Sequence, residues 1–326
     1  MRTRAKLRCH TGRLPNNRGD NELIGERVAS RLMNLVTPKR MTVSGAATAA
    51  DRRFALHCLN RDWTNFALLR YRDFDGFLVT GQNSGTQWLK YMLSLAMAAE
   101  YGVAPPQFFN NASSNDIIGH PKHKRKYPQL PRIASAHSIP HAALPMLYGT
   151  MKFPPYVVLV RDMREALISN YAKWRERYQV PFDVYVAGDP SGEKYVCDAW
   201  WYVRFLNAWG RMASQYPERV IVMRYEDLRK TPAAGLRAIG KHFGMTLGEA
   251  AIETAVQGSS KAAMLAREDA NAGEKVIRSD AGSGADPVFG PHESAILARI
   301  LRANLRYDFG YDYGLRQAMP ATVAAA

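Results

Sequence analysis

Cysteine is scarce in this chain of 326 residues, and long apolar runs are missing. The three cysteines, Cys9, Cys58 and Cys197, form no CxxC pair and are odd in number, which argues against a disulfide framework or a structural zinc site. We interpret them as reduced thiols and expect a cytoplasmic protein that holds no metal. Since no apolar run approaches the roughly 18 residues that cross a membrane, we expect no membrane span.

Charged residues make up 22% of the chain and aromatic residues 10%, close to globular averages, which excludes disordered, collagen-like and coiled-coil classes. The 44 Lys and Arg outnumber the 29 Asp and Glu. Residues 1–50 hold ten of these basic residues and three acids. We interpret this segment as a flexible extension with no specific role and expect no specific nucleic-acid partner, although a basic arm that contacts nucleic acid or an anionic membrane is the alternative. The rest of the chain is still basic, which suits an anionic ligand.

Short apolar runs alternate with amphipathic segments along the chain. The runs at 77–80, 132–136, 156–160 and 220–223 are typical of strands buried on both faces, as in a parallel sheet. Helical spacing of apolar residues follows the first run, and helices are predicted at about 164–178 and 195–216. This order predicts an α/β fold, a doubly wound and mainly parallel sheet flanked by helices. We expect one such domain over residues 51–318 and a disordered tail at 319–326.

The first chemical signal is the loop between the strand at 77–80 and the helix after it. Asn83-Ser84-Gly85-Thr86 precedes the helix, whose first N–H groups lack intrahelical partners and lie at the positive end of its dipole. Glycine lets the backbone approach closely, and the hydroxyls add donors, so we predict a P-loop-like phosphate cradle. The loop is no Walker A motif, because GxxxxGK[ST] is absent. An ordinary turn capped by Ser84 is the alternative.

A second signal is Arg161, which follows the apolar run at 156–160, with Ser169 eight residues later. Arg161 is expected at the carboxyl edge of the sheet, where open α/β sheets bind ligands. A guanidinium and a hydroxyl there could hold a second phosphate. The alternative is that Arg161 pairs with Asp162 or another nearby acid and that Ser169 only packs.

His137 is the third signal, because it directly follows the run at 132–136. A histidine at the carboxyl edge could act as a general base, since its ordinary pKa lies near neutrality. A hydrogen-bonded structural histidine is the alternative. His141 lies four residues later, but Pro140 argues against one regular helix that presents both rings to a zinc ion.

The segments that carry these three signals, taken in chain order, resemble segments of the sulfotransferase family that uses 3′-phosphoadenosine 5′-phosphosulfate (PAPS). Residues 80–89 resemble the loop that grips the 5′-phosphosulfate, and 131–140 resemble the segment that carries the catalytic base. Residues 157–171 resemble the 3′-phosphate site, with the Arg-x7-Ser spacing intact, and 224–228 resemble the Y-E-D-L segment. Arg278 with Gly282 and Gly284 resembles the late loop over the 3′-phosphate. The resemblance covers about residues 65–315.

The resemblance implies an enzyme that moves a sulfuryl group from PAPS to a hydroxyl or amine by in-line displacement, releasing 3′,5′-adenosine bisphosphate (PAP), without a metal. It implies His137 as general base and Asn83 as the loop residue at the transfer step. The residues implied for the nucleotide are Gln82, Asn83, Ser84, Gly85, Thr86, Gln87, Trp88, Arg161, Ser169, Tyr225, Arg278 and Gly282.

Two departures from the family pattern concern charge. Asn83 and Ser135 stand where the family has lysines, and Gln82 replaces its proline. Loss of one cation that stabilises a transition state costs about 3 kcal/mol, or roughly a hundredfold in rate. We expect another cation to compensate, with Lys90 or the basic stretch at 122–126 as candidates.

Two other functions remain open, and the acceptor is not identified. Asn83 and Ser135 favour a non-catalytic or weakly active PAP-binding protein, whereas a P-loop nucleotide kinase is disfavoured by the missing Walker lysine. The acceptor is expected to be a small molecule, a lipid-linked hydroxyl or a sugar, bound by the loops at 104–131, 179–192 and 255–290. The oligomeric state is left open.

Overall fold

A four-stranded parallel sheet organises the protein. The computed structural model describes residues 47–109, 112–122, 124, 126–269 and 287–315. Strands β1 (Gly76–Thr80), β2 (Ile133–Ala136), β3 (Tyr156–Val160) and β4 (Val220–Arg224) lie in the order β2-β1-β3-β4. Each neighbouring pair of these strands is parallel. Their carboxyl ends therefore meet along one rim, and the predicted parallel α/β fold is confirmed.

Helices connect and cover these strands. In chain order they are α1 (Ala49–Thr64), α2 (Ala67–Arg70), α3 (Thr86–Tyr101), a 3-10 helix (Ala112–Asp116), α4 (Leu144–Leu147), α5 (Met163–Tyr178), α6 (Phe182–Ala187), α7 (Ala199–Gln215), α8 (Tyr225–Lys230), α9 (Pro232–His242), α10 (Glu249–Gly258), α11 (Lys261–Leu265) and α12 (Pro291–Asn304). Among the described residues, none of these helices combines the length and apolarity that crossing a membrane requires.

The sheet is buried on both faces, as its apolar runs predict. Phe77 and Val79 of β1 pack into one core, whereas Leu78 packs into the other. The neighbouring strand β3 alternates in the same way, and its five residues are buried. Burying one such apolar side chain contributes roughly 1.5–3 kcal/mol. The strands that carry the rim residues are therefore held firmly between two layers of helices.

Two local expectations need correction. The predicted helix at 195–216 begins at Ala199, because the Asp198 carboxylate accepts a hydrogen bond from the Trp201 backbone N–H at 2.9 Å and caps the helix there. The predicted loop at 179–192 contains the short helix α6, which forms because Tyr185 is buried and bonds the Cys197 carbonyl at 2.8 Å. Tertiary packing decides where both of these helices form, and a local sequence pattern carries no information about it.

Several predictions fall on residues outside the described part of the chain. These residues are most of the basic extension at 1–50, the tail at 319–326, and Arg278, Gly282 and Gly284 of the late loop. The expected domain limits stay predictions. The expected contact of the late loop with the 3′-phosphate stays a prediction as well.

Candidate active site

The loop from Gly81 to Gly85 joins β1 to α3 at the rim of the sheet. Two of its residues have left-handed backbone angles, with φ of 55° at Asn83 and 88° at Gly85. A Cβ atom on Gly85 would lie 2.5 Å from the ring of Tyr225, so only glycine fits both the angle and the space. Such a turn directs successive backbone N–H groups to one point at the N-terminus of α3, where an anion is favoured.

Side chains behind the loop hold its carbonyl groups. The Tyr202 hydroxyl donates to the Gln82 carbonyl, and Arg161 Nη1 donates to the Asn83 carbonyl at 3.1 Å. Ser84 is buried within the loop, and its N–H donates to the Gly81 carbonyl at 3.2 Å. Ser84 therefore supports the loop from inside, and the donors that α3 presents at the rim come from its first turn, beginning with Thr86.

The imidazole of His137 lies at the end of β2 and contacts the end of β1. Its Nδ1 is 2.8 Å from the Thr80 backbone carbonyl and 3.2 Å from Thr80 Oγ1. A carbonyl oxygen only accepts, so the hydrogen bond places a proton on Nδ1. In the neutral ring, Nε2 then carries the lone pair. Thr80 Oγ1 also lies 2.6 Å from Thr86 Oγ1, which connects the histidine to the first residue of α3.

The surroundings of this imidazole favour its neutral form. Burial of the ring among protein atoms lowers the pKa of His137 most, the hydrogen bond to Thr80 opposes that effect, and the positive charge of Lys173 lowers the pKa further. By its accessible surface, the residue as a whole is nevertheless exposed. A crowded ring with an exposed part is typical of a group on the wall of a cleft. A neutral imidazole with a free Nε2 can accept a proton there.

Arg161, at the end of β3, lies between the loop and the end of β4. Its guanidinium carbon is 5.0 Å from the centroid of the Tyr225 ring, and its Nη2 lies 3.4 Å from Glu165. Asp162 pairs with Arg164 at 2.6 Å instead. The loop carbonyl, the aromatic ring and a weak contact with an exposed acid thus orient the guanidinium. Because these contacts use few of its N–H groups, donors remain available to an anion.

An aromatic corner adjoins the loop. The rings of Trp88 and Tyr225 meet edge to face, with centroids 5.7 Å apart. The indole N–H of Trp88 donates to the Ser259 carbonyl at 3.1 Å, which fixes the ring. Aromatic rings held in this way offer flat apolar surface to a planar ligand.

Glu226 connects three parts of the rim. One carboxylate oxygen accepts the Asp162 backbone N–H at 3.2 Å, and the other accepts the Tyr311 hydroxyl at 2.5 Å. The Tyr313 hydroxyl accepts the neighbouring Met163 N–H at 3.1 Å. These bonds hold the turn that carries Arg161 against α8 and the C-terminal segment.

A family model described as the sulfotransferase domain matches residues 73–285, more than half of the chain. The chain belongs to the sulfotransferase domain family. The match confirms the enzyme class predicted from the sequence, a sulfotransferase. The matched range contains the loop, His137, Arg161 and Tyr225.

Solved sulfotransferase structures are distant from this chain. Mouse sulfotransferase SULT7A1 complexed with PAP is 16% identical, covering 65% of this chain and 72% of that chain at a TM-score of 0.41. An Arabidopsis thaliana protein proposed to be a steroid sulphotransferase is 19% identical, covering 76% and 89% at 0.43. Retinol dehydratase in complex with androsterone and PAP is 15% identical, covering 65% and 71% at 0.41. No curated protein matches the chain in sequence.

The structure brings most of the predicted site residues of this sulfotransferase to one rim. The contacts described above join His137, Arg161 and Tyr225 to the loop and to the first turn of α3, which contains Gln87 and Trp88. Ser169 lies half-buried on α5. Among the expected compensating cations, Lys90 Nζ donates to Asn115 Oδ1, and Lys126 of the basic stretch at 122–126 pairs with Asp116 at 2.6 Å. His123 and Arg125 of that stretch lie outside the described residues. Burial lowers the pKa of Lys90 to about 8.

Sequence reasoning missed two residues of this site. Thr80 sets the tautomer of His137, but in the sequence it is recognisable only as the end of a strand and the start of the loop motif. Glu226 lies within the Y-E-D-L segment, but the sequence assigns it no separate structural function.

Proposed function

We propose that this sulfotransferase moves the sulfuryl group of PAPS to a hydroxyl or amine with His137 as general base. The observation that carries the proposal is the hydrogen bond from His137 Nδ1 to the Thr80 carbonyl at 2.8 Å. It joins the base to the strand that ends in the nucleotide loop, and it leaves Nε2 as the acceptor of a proton.

The loop and the rim offer separate contacts for each part of the nucleotide. The first N–H groups of α3 and the hydroxyl of Thr86 bind the 5′-phosphate, framed by Gly85 and supported by Ser84. Arg161 and Ser169 bind the 3′-phosphate, which ATP and ADP lack. Trp88 and Tyr225 contact the adenine with their rings.

At the transfer step, His137 Nε2 accepts the proton of the acceptor as the acceptor oxygen or nitrogen attacks sulfur. The bond between sulfur and the bridging oxygen breaks, and its electron pair leaves on the 5′-phosphate of PAP. The loop N–H groups stabilise the negative charge on that oxygen because they are already oriented toward it. Positioning and charge stabilisation supply the catalysis, as in phosphoryl transfer.

Binding of PAP should stabilise the fold more than binding of ADP or ATP, because only PAP carries a 3′-phosphate for Arg161. Ligand at about 100 times its Kd adds roughly 2.7 kcal/mol to the free energy of unfolding. Thermal melts with PAP, ADP and ATP at equal concentrations measure the difference. An equal rise in Tm with all three ligands would contradict the proposed 3′-phosphate site, and a response to ATP alone would favour a nucleotide kinase.

The pH profile of kcat/KM should have its acid limb below pH 6.5. Burial lowers the pKa of His137 beneath its ordinary value, so the ring stays neutral on acidification until the pH falls through that lowered pKa. Below it, each pH unit should reduce the rate about tenfold as the base becomes protonated. Initial rates between pH 5 and 8 test this, and an acid limb centred above pH 6.5 would contradict the lowered pKa of the base.

A further inference from the structure

The side chain of Thr80 lies between the proposed base and the proposed 5′-phosphate site. Its Oγ1 is 3.2 Å from His137 Nδ1 and 2.6 Å from Thr86 Oγ1. Thr80 is only 1% exposed, so its hydroxyl is shielded from solvent. A buried hydroxyl is expected to use its proton in a hydrogen bond with one of its protein neighbours.

The backbone carbonyl of Thr80 decides the direction of these bonds. It lies 2.8 Å from His137 Nδ1 and can only accept, so Nδ1 carries a proton and cannot accept one from the Thr80 hydroxyl. Among the described residues, the remaining neighbour of that hydroxyl is Thr86 Oγ1, which therefore accepts its proton. Nδ1–H donates mainly to the carbonyl and, over the longer distance, also to Thr80 Oγ1. Thr86 keeps a hydroxyl proton of its own to donate.

This chain of donors ends at the rim of the sheet. Thr86 is the first residue of α3 and is only half-buried. An anion at the N-terminus of α3 can therefore accept the Thr86 hydroxyl proton together with those of the first backbone N–H groups. Three donors then follow one another in one direction, from the imidazole through Thr80 and Thr86 to the anion. Hydrogen bonds in such a chain polarise and strengthen one another.

We propose that Thr80 is a positioning residue whose hydroxyl transmits binding of the nucleotide 5′-phosphate to His137 and makes Nε2 a stronger base. The inference rests on the proposed function. When Thr86 donates to the phosphate, its oxygen becomes a better acceptor for Thr80, and Thr80 Oγ1 becomes a better acceptor for Nδ1–H. Each group keeps its own proton. The strengthened bond from Nδ1–H stabilises the imidazolium that forms when Nε2 takes the proton of the acceptor.

Charges act on the ring as well, and the variants must separate them from the hydrogen bonds. Among the described residues, Lys173 on α5 is the charged group that acts on His137, and every variant retains it. The negative charges of a bound nucleotide act through space. Thr80→Val removes the hydroxyl and keeps both the branched shape and the carbonyl. Thr80→Ser keeps the hydroxyl. Ser94→Ala is the matched control, because it removes from α3 a buried hydroxyl that has no hydrogen-bond partner.

The first measurement is an NMR titration of His137 without ligand, with saturating PAP and with saturating 5′-AMP. We expect both nucleotides to raise the pKa of the imidazole by about one unit in wild type and in Ser94→Ala, a tenfold coupling between phosphate and proton. Thr80→Ser should retain most of this rise. Thr80→Val should lose most of it, and so should Thr80→Ala, a second variant without the hydroxyl.

The pH profiles of sulfuryl transfer give a second readout. The profile of kcat/KM for PAPS reports the base before the nucleotide binds, whereas the profile of kcat reports the base in the complex. In wild type, the acid limb of kcat should therefore lie about one pH unit above that of kcat/KM. In Thr80→Val, the two limbs should nearly coincide.

An equal rise in the pKa of His137 in wild type and Thr80→Val would show that the nucleotide acts through space and would overturn the proposal. A wild-type protein without any rise would overturn it too, as would a rise with PAP but none with 5′-AMP. A loss in Ser94→Ala as large as that in Thr80→Val would point to general packing instead. A rise that depends on Thr80 in a protein that transfers no sulfuryl group from PAPS would refute the proposed function, while the link between phosphate and imidazole would stand.

Discussion

Replacing His137 with alanine is expected to reduce sulfuryl transfer by about a thousandfold, within the usual range for loss of a general base. The variant should bind PAP as wild type does, because the histidine contacts Thr80 and the acceptor side and is separate from the two proposed phosphate sites. Single-turnover rates with PAPS, together with calorimetric titration of PAP, measure the two effects separately.

His137→Asn provides the control for this experiment. An asparagine amide can still donate a hydrogen bond to the Thr80 carbonyl, but it has no basic nitrogen. If the histidine acts as a base, both variants lose activity to the same extent. Asparagine that restores the rate would show that the contact with Thr80, rather than proton transfer, is what the reaction needs. Full activity of the alanine variant would remove His137 from the mechanism.

Replacing Arg161 with methionine is expected to weaken PAP binding about 10- to 100-fold while the affinity for ADP changes little. A hydrogen bond to a charged group contributes roughly 1.5–3 kcal/mol, which corresponds to about 10- to 100-fold in affinity. Its contacts with the Asn83 carbonyl and the Tyr225 ring orient it toward the site. Titration of the variant with PAP and with ADP gives the ratio of affinities directly.

Arg164→Met is the matched control, since Arg164 pairs with Asp162 on the same turn. It should bind both nucleotides as wild type does. An equal loss of PAP and ADP affinity in Arg161→Met would indicate that Arg161 acts only by holding the loop through the Asn83 carbonyl. In that case, Arg161→Lys would not favour PAP over ADP either, whereas retained charge at a true phosphate site should preserve part of the preference.

The two histidines near the end of β2 illustrate what local sequence leaves undecided. His137 and His141 are four residues apart, and both follow the same strand. His141 is buried, and its two ring nitrogens bond the Trp63 carbonyl at 3.0 Å and the Ala143 N–H at 3.0 Å. Both nitrogens of His141 are thus occupied by backbone, and only His137 keeps a ring nitrogen for chemistry. The partners that distinguish the two rings are Thr80 of β1 and Trp63 of α1, which are distant in the sequence, so no local pattern could supply them.

The sequence by itself determined the strands, their parallel arrangement and the rim positions of the loop, His137 and Arg161. Unbroken apolar runs are stable only when buried on both faces, and parallel strands end at a common edge. Only the tertiary structure decided which groups meet across that edge. Ser84 turned inward, Thr80 set the tautomer of His137, and Lys90 bonded Asn115. Such contacts join residues far apart in the chain, and their geometry depends on how whole helices pack against the sheet.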